Sequence, residues 1–201
     1  MTDDVNARHA EAMKALKAER EALMATKREG AGQLLVHTGD GKGKSSAAFG
    51  MVARALGWGY RVGIVQYIKG KWITGERQFF DRFPDQVTWR VMGEGFTWDT
   101  QDRARDVAAA QAAWKVSLEM MHDPSLQVVL LDELNIALRY DYLDIAEVVE
   151  GLKARPPEKH VIVTGRNAKA ELIAIADLVT EMTLVKHPFQ QGIKAQRGID
   201  F

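Results

Sequence analysis

The chain has 201 residues, enough for one domain with a full core, and its 27 Lys plus Arg balance 27 Asp plus Glu. That neutral balance argues against a large nucleic-acid footprint, although it leaves room for a local basic patch. Cysteine is absent, which excludes disulfides, thiolate nucleophiles and cysteine-ligated metals; no apolar run approaches a membrane span and no secretory pattern is evident, so a cytoplasmic location is expected.

Residues 1–30 are charged and rich in Ala, Glu, Lys and Arg, and little in them breaks a helix before Gly30. Met13, Leu16, Leu23 and Met24 fall near one helical face, interrupted by Arg20, which predicts an amphipathic helix of modest hydrophobicity. A solvated leader fits the same residues. Gly30-Ala31-Gly32 forms a hinge into a second unit, residues 31–201.

The most informative stretch comes next. The apolar run Gln33-Leu34-Leu35-Val36-His37 leads into Thr38-Gly39-Asp40-Gly41-Lys42-Gly43-Lys44-Ser45-Ser46. A strand ending in a glycine-rich turn, with Gly-Lys-Ser at the mouth of a helix, makes a polyphosphate cradle. Its backbone N–H groups converge on phosphate oxygens, and the helix adds its positive end. Lys44 is placed among the phosphates and the Ser45 hydroxyl on Mg²⁺. The spacing departs from the usual motif at its first glycine, where Thr38 stands; Gly39 and Gly41 supply flexibility instead.

A helix is predicted from Lys44 to Leu56, closed by Gly57-Trp58-Gly59, with Arg54 about a turn along it as a further nucleotide contact. Arg61–Tyr67 reads as a buried strand. A basic loop, a short helix over Gly75–Phe83 and a strand over Val87–Met92 follow. Asp99 or Thr100 can cap a long helix reaching His122, whose spacing makes Trp114 a core residue. Then come an apolar strand over Gln127–Leu131, a helix over Asp144–Ala154, a strand over His160–Thr164, a helix over Ala168–Asp177 and a last strand over Leu178–Val185. The tail from Lys186 to Phe201 is polar and glycine-containing.

Apolar strands alternating with helices predict an α/β fold, a mainly parallel sheet flanked by helices, with ligands at the C-terminal strand ends. That rule gathers Thr38–Ser45, Lys69–Glu76, Gly93–Trp98, Asp132–Glu133 and Gly165–Asn167 around one crevice. Val128–Leu131 delivers Asp132 and Glu133 at its tip, where an acidic residue holds Mg²⁺ opposite the loop hydroxyl. Strand neighbours point oppositely, so spacing does not say which carboxylate touches the ion. Phe96 and Trp98 can face the same way on an extended segment, and taken alone they read as ordinary packing.

The glycine loop, Gly93-Glu94-Gly95-Phe96-Thr97-Trp98, Leu131-Asp132-Glu133-Leu134 and Gly198-Ile199-Asp200-Phe201 together resemble the ATP:corrinoid adenosyltransferases of the CobA/BtuR type across nearly the whole chain. The glycine loop is widely shared; the Gly-Phe-Thr-Trp segment and the Ile-Asp-aromatic ending are more particular. Departures are mild: Ser45-Ser46 stands where Thr-Thr is frequent, and Asp40 where Asn is common. The resemblance implies a single P-loop, RecA-like domain that transfers the 5′-deoxyadenosyl group of ATP to Co(I) of a reduced corrinoid, releasing triphosphate. It implies Lys44, Phe96 and Trp98 as catalytic, the rings bordering the lower corrinoid face to leave four-coordinate Co(II), which is easier to reduce.

The resemblance also implies a reduced flavoprotein as electron donor, a homodimer, and a lid role for the N-terminal helix. Arg166 is assigned a terminal phosphate; Lys69 and Lys71 are either solvated or set against the corrinoid edge. The five histidines show no metal-ligand spacing, and no evident water-activating residue stands out. The alternatives are a generic P-loop NTPase, which would release ADP, and a nucleotide-gated binding protein.

Overall fold

The computed structural model describes residues 2–68, 73–92 and 102–201. It divides into two compact units, Met1–Gly30 and Ala31–Phe201. The first is a single helix, α1 (Thr2–Ala25), on which Met13, Leu16, Leu23 and Met24 are exposed.

The second unit is built on six parallel strands: β1 (Leu34–Thr38), β2 (Val62–Gln66), β3 (Val87–Val91), β4 (Val128–Asp132), β5 (His160–Thr164) and β6 (Leu178–Glu181). Their order is β3-β2-β4-β5-β1-β6, and every neighbouring pair is parallel. The glycine-loop strand β1 and the acidic strand β4 are therefore separated by β5, and their tips stand roughly 10 Å apart.

Alternation along each strand feeds two cores. Leu35, Ile64, Leu130 and Ile162 face α2 (Lys44–Gly57) and the short α3 (Gly75–Phe80). There Phe49 stacks on Trp89 with centroids 5.3 Å apart. Leu34, Val36, Val129, Leu131, Val161 and Val163 face the opposite core, with Trp114 and Met121 of α4 (Arg103–His122). Also on that face are α5 (Leu134–Arg139), α6 (Ile145–Lys153) and α7 (Ala170–Ile175). Trp114 is 2% exposed, a core residue as its spacing predicts.

Several expectations are revised. Helix α4 is capped by Asp102, whose Oδ1 accepts from the Arg105 N–H at 3.2 Å; Asp99 and Thr100 lie outside the described residues. The last strand ends at Glu181 rather than Val185, and all its residues are exposed, since among the described residues β6 has no strand beyond it. Helix α5 escapes sequence reading because it starts directly from a strand tip. Its N-cap, Glu133, makes no side-chain cap and adopts a left-handed conformation at φ 64°. The tail contains a 3₁₀ turn, Pro188–Gln191.

Helix α6 lies against α4 through Gly151, where an added Cβ would stand 2.5 Å from Trp114 Cζ2 and 2.9 Å from Leu118 Cδ2. Helix propensity favours Ala over Gly by about 1 kcal/mol, but overpacking a rigid indole costs about 1–3 kcal/mol. Gly151→Ala is therefore expected to lower the melting temperature by ~2–6 °C. An unchanged or raised midpoint in thermal unfolding would show that the Trp114 ring yields.

Candidate phosphate and carboxylate site

The loop between β1 and α2 is held from beneath by the chain leaving β6. The Met182 N–H donates to Thr38 O at 2.8 Å, and the Gly41 N–H donates to Met182 O at 2.7 Å. A Cβ on Gly39 would stand 2.5 Å from Met182 O, and one on Gly41 would stand 2.7 Å from Thr183 O. Gly39 also has φ 96° and Gly43, the N-cap of α2, φ 108°. Gly39 and Gly41 thus answer a close backbone approach, and Gly39 and Gly43 a left-handed turn, before any ligand is considered.

Lys44 is 7% exposed and donates to Gly41 O at 2.5 Å. Burial lowers the pKa of its ammonium, opposed by the charges of Glu133 and Asp40 and reinforced by Arg166 and Lys42. Lys42 and Asp40 are exposed on the rim, and the Lys42 ammonium pairs with Asp200. Asp200 also accepts from the Gln196 N–H at 2.8 Å, so the Ile199-Asp200-Phe201 segment is tied to the loop.

Across the β5 tip, Asp132 is 3% exposed. Its Oδ1 accepts from the Thr164 hydroxyl at 2.8 Å, and the Ser45 and Gln66 side chains also favour its ionised form. Burial raises its pKa against those partners. Thr164 Oγ1 accepts in turn from the Glu133 N–H at 2.9 Å. Glu133 is pushed up to about 7, first by burial and then by the Asp132 charge, against Lys44 and Arg166. Its Oε2 is buried with no hydrogen-bond partner among the described residues, as is Asn135 Oδ1. Glu133 thus presents a buried, open acceptor in the crevice.

The structure brings together Gly39, Gly41, Gly43, Lys44, Ser45, Asp132 and Glu133, with the Arg166 charge acting on both Lys44 and Glu133. Ser46 is exposed beside Ser45 in the first turn of α2. Arg54 is a correction: it belongs to the last turn of α2, ten residues past Lys44 and so about 15 Å along the axis, and it is exposed. Phe96, Trp98, Lys69 and Lys71 lie outside the described residues. Sequence reasoning missed Thr164, Asn135 and the part played by Met182. The two side chains are polar positions at the tip of β5 and just beyond that of β4, a weak signal; Met182 acts through its backbone, which leaves no signal at all.

A glycine loop opening a helix, with a buried carboxylate on the strand beyond an intervening one in a parallel sheet, defines a P-loop protein of RecA-like topology. Residues 30–201 match the ATP:corrinoid adenosyltransferase BtuR/CobO/CobP family, and the chain belongs to it. A corrinoid adenosyltransferase of Pseudomonas aeruginosa is 57% identical over 194 residues, covering 96% of each chain. One from Sinorhizobium is 55% identical, covering 98% of this chain and 92% of the relative. The Salmonella typhimurium corrinoid adenosyltransferase CobA is 45% identical, covering 96% of this chain and 98% of its own. Among the described residues, no helix is long and apolar enough to cross a membrane.

The raised Glu133 pKa makes a stability prediction. Between pH about 4.5 and 7 the folded protein keeps a proton there that the unfolded chain has released, so stability falls as pH rises through that window. Glu133→Gln is expected to stabilise the nucleotide-free protein at pH 8 by on the order of 1–3 kcal/mol. The gain should vanish near pH 4.5. Melting temperatures of both proteins across pH 4.5–8, with chelator present, test this; a pH-independent difference would contradict it.

Proposed function

We propose that this protein transfers the 5′-deoxyadenosyl group of ATP to Co(I) of a reduced corrinoid and releases triphosphate. The observation that carries this reading is the family match over residues 30–201, which takes in the phosphate loop, the acidic strand tip and the tail bound to Lys42. The acceptor is cobyrinic acid a,c-diamide, cobinamide or cobalamin.

Co(I) is a two-electron nucleophile. Its electron pair forms the bond to C5′ of the ribose, the C5′–O bond breaks, and its pair leaves on the α-phosphate oxygen of triphosphate. Cobalt ends formally as Co(III). No proton need move at the reacting carbon, so the protein contributes positioning and charge stabilisation. Lys44 and the loop N–H groups face the charge that grows on the leaving group, and Arg166 holds a terminal phosphate. Lys44, already desolvated, gains more from a phosphate oxygen than an exposed lysine would.

Mg²⁺ fits the oxygen donors here, Ser45, Asp132 and Glu133, whose orphaned Oε2 and burial-strained carboxylates favour a hard cation; bound there it would neutralise triphosphate charge. Phe96 and Trp98 border the lower corrinoid face and exclude an axial ligand. A reduced flavoprotein supplies the electron that takes Co(II) to Co(I). The protein works as a homodimer.

A generic P-loop NTPase would share the glycine loop and Asp132-Glu133 but would release ADP or monophosphate in place of triphosphate. The products separate the two. Under anaerobic conditions with Mg-ATP and chemically reduced cob(I)alamin, a light-sensitive adenosylated corrinoid and triphosphate are expected in equal amounts. Steady ADP and phosphate without corrinoid change would establish the NTPase.

Lys44→Ala should slow adenosylation at least ~100-fold even with Co(I) supplied. Phe96→Ala and Trp98→Ala should slow the reaction that starts from Co(II) while leaving Mg-ATP affinity intact. Equal loss of both properties would contradict the lower-face role.

A further inference from the structure

The residue that breaks the usual glycine-loop pattern, Thr38, is 6% exposed, and its Oγ1 accepts from the Ala168 N–H at 3.0 Å. Ala168 ends a four-residue turn, Gly165-Arg166-Asn167-Ala168, that leaves the tip of β5. The other end of that turn is also bonded: Asn135 Nδ2 donates to Gly165 O at 3.0 Å. A carbonyl only accepts, so this contact fixes which end of the Asn135 amide faces the turn. Asn135 is fully buried in the first turn of α5.

Between the two bonded ends the backbone is unusual. Gly165 has φ 124° and Asn167 φ 57°, so Arg166 sits between two left-handed residues. A Cβ on Gly165 would stand 2.8 Å from Asn135 Cβ and 3.0 Å from Glu133 Oε2. The turn thus lies directly against the acidic strand tip, and the Arg166 charge reaches both Glu133 and Lys44. Arg166 itself is exposed, so little packing holds the guanidinium and the turn that carries it sets where the side chain starts.

We propose that Thr38 and Asn135 are positioning residues that clamp the Gly165–Ala168 turn from the β1 and β4 sides and so aim Arg166 at the phosphates held by the loop. Thr38 in place of the first glycine then serves the loop: its hydroxyl, on β1, joins the phosphate loop to the cationic turn at the neighbouring β5 tip, next to Asp132 on β4. The inference rests on the reading that this site binds ATP and that Arg166 contacts a terminal phosphate.

The test is Mg-ATP binding by calorimetry together with the KM for ATP and kcat in the adenosylation assay, using the full-length protein. Thr38→Val keeps the volume and removes the hydroxyl, while Thr38→Ser keeps the hydroxyl. Arg166→Ala is expected to weaken Mg-ATP binding ~10- to 100-fold, and Thr38→Val and Asn135→Ala each to reproduce part of that loss, about 3- to 10-fold. Thr38→Ser should restore parental affinity. Thr38→Val combined with Arg166→Ala should bind no worse than Arg166→Ala alone, since the clamp acts through that arginine.

Lowered melting temperature with unchanged affinity in Thr38→Val, or losses that add in the double variant, would overturn the proposal. Should Asn135→Ala fail to fold, the near-isosteric Thr38 pair still decides. If Arg166→Ala binds normally while Lys44→Ala does not, the proposal falls and nucleotide binding stands. Normal Mg-ATP binding by both variants would overturn the proposal by placing the nucleotide away from this loop, and no Mg-ATP binding by the parental protein would remove the ATP reading itself.

Discussion

A carboxylate taken out of water at the tip of a parallel strand is the constraint around which this site is arranged. Asp132 is buried, takes a hydrogen bond from Thr164 on the next strand, and has its ionised form favoured by Gln66 on the other flank and Ser45 of the loop helix. Desolvation works against its ionised form, and each partner offsets part of that cost. Those partners occupy β5, β2 and α2, so satisfying one charge fixes the mutual placement of most elements that reach the site. Placing β5 between β1 and β4 makes this possible, because a hydroxyl at the intervening tip can touch the acidic residue on one side. Glu133 follows from the same arrangement: it leaves the strand in a left-handed conformation with its N–H on Thr164, and its carboxylate is carried between Lys44 and Arg166.

The glycine loop shows two demands superposed on one set of residues. A phosphate cradle needs convergent N–H groups, and Gly43 at the helix mouth serves that need. Gly39 and Gly41, however, are required by the carbonyls of Met182 and Thr183, which approach closer than any side chain would permit. The loop is thereby fastened to the segment that follows the edge strand β6, and the Lys42–Asp200 pair fastens it again to the tail. An exposed edge strand is ordinarily a liability, but here the chain leaving it forms the floor of the loop.

Much of this was legible from residues alone, for identifiable reasons. Lys44, Ser45, Asp132 and Glu133 carry chemistry at spacings that only a strand–loop–helix and a strand tip would produce. The parallel sheet follows from strands such as Val128–Asp132 that are apolar on both faces. The illegible parts are those set by tertiary contact. Helix α5 begins without a capping side chain, so no start signal precedes Leu134. Asn135 looks like any polar residue in a short helix until Gly165 O is seen opposite its amide. Arg54 is placed near the loop by sequence proximity, yet ten helical residues move it away by more than the length of its side chain. The elevated pKa of Glu133 depends on burial and on the Asp132 charge together, and neither can be read from the pair of letters at a strand end.

The chemistry asks unusual things of a phosphate loop. Hydrolysis or phosphoryl transfer focuses catalysis on one terminal phosphorus, whereas displacement at C5′ spreads the leaving charge over an intact triphosphate. A site suited to the second needs cations distributed along the chain of phosphates more than it needs a base aimed at one of them. The distribution seen here has that character: Lys44 within the loop, Arg166 on a turn fastened from two strands, and acidic groups set between them. The same acidic groups are costly when the site is empty, since burial raises the pKa of both carboxylates. Lys44 and Arg166 already offset part of that cost at Glu133 in the empty site, and a bound cation would relieve more of it. Stability sacrificed in the empty site would then be recovered on loading it with a cation, so that a nucleotide arriving with its cation would bind with that gain added.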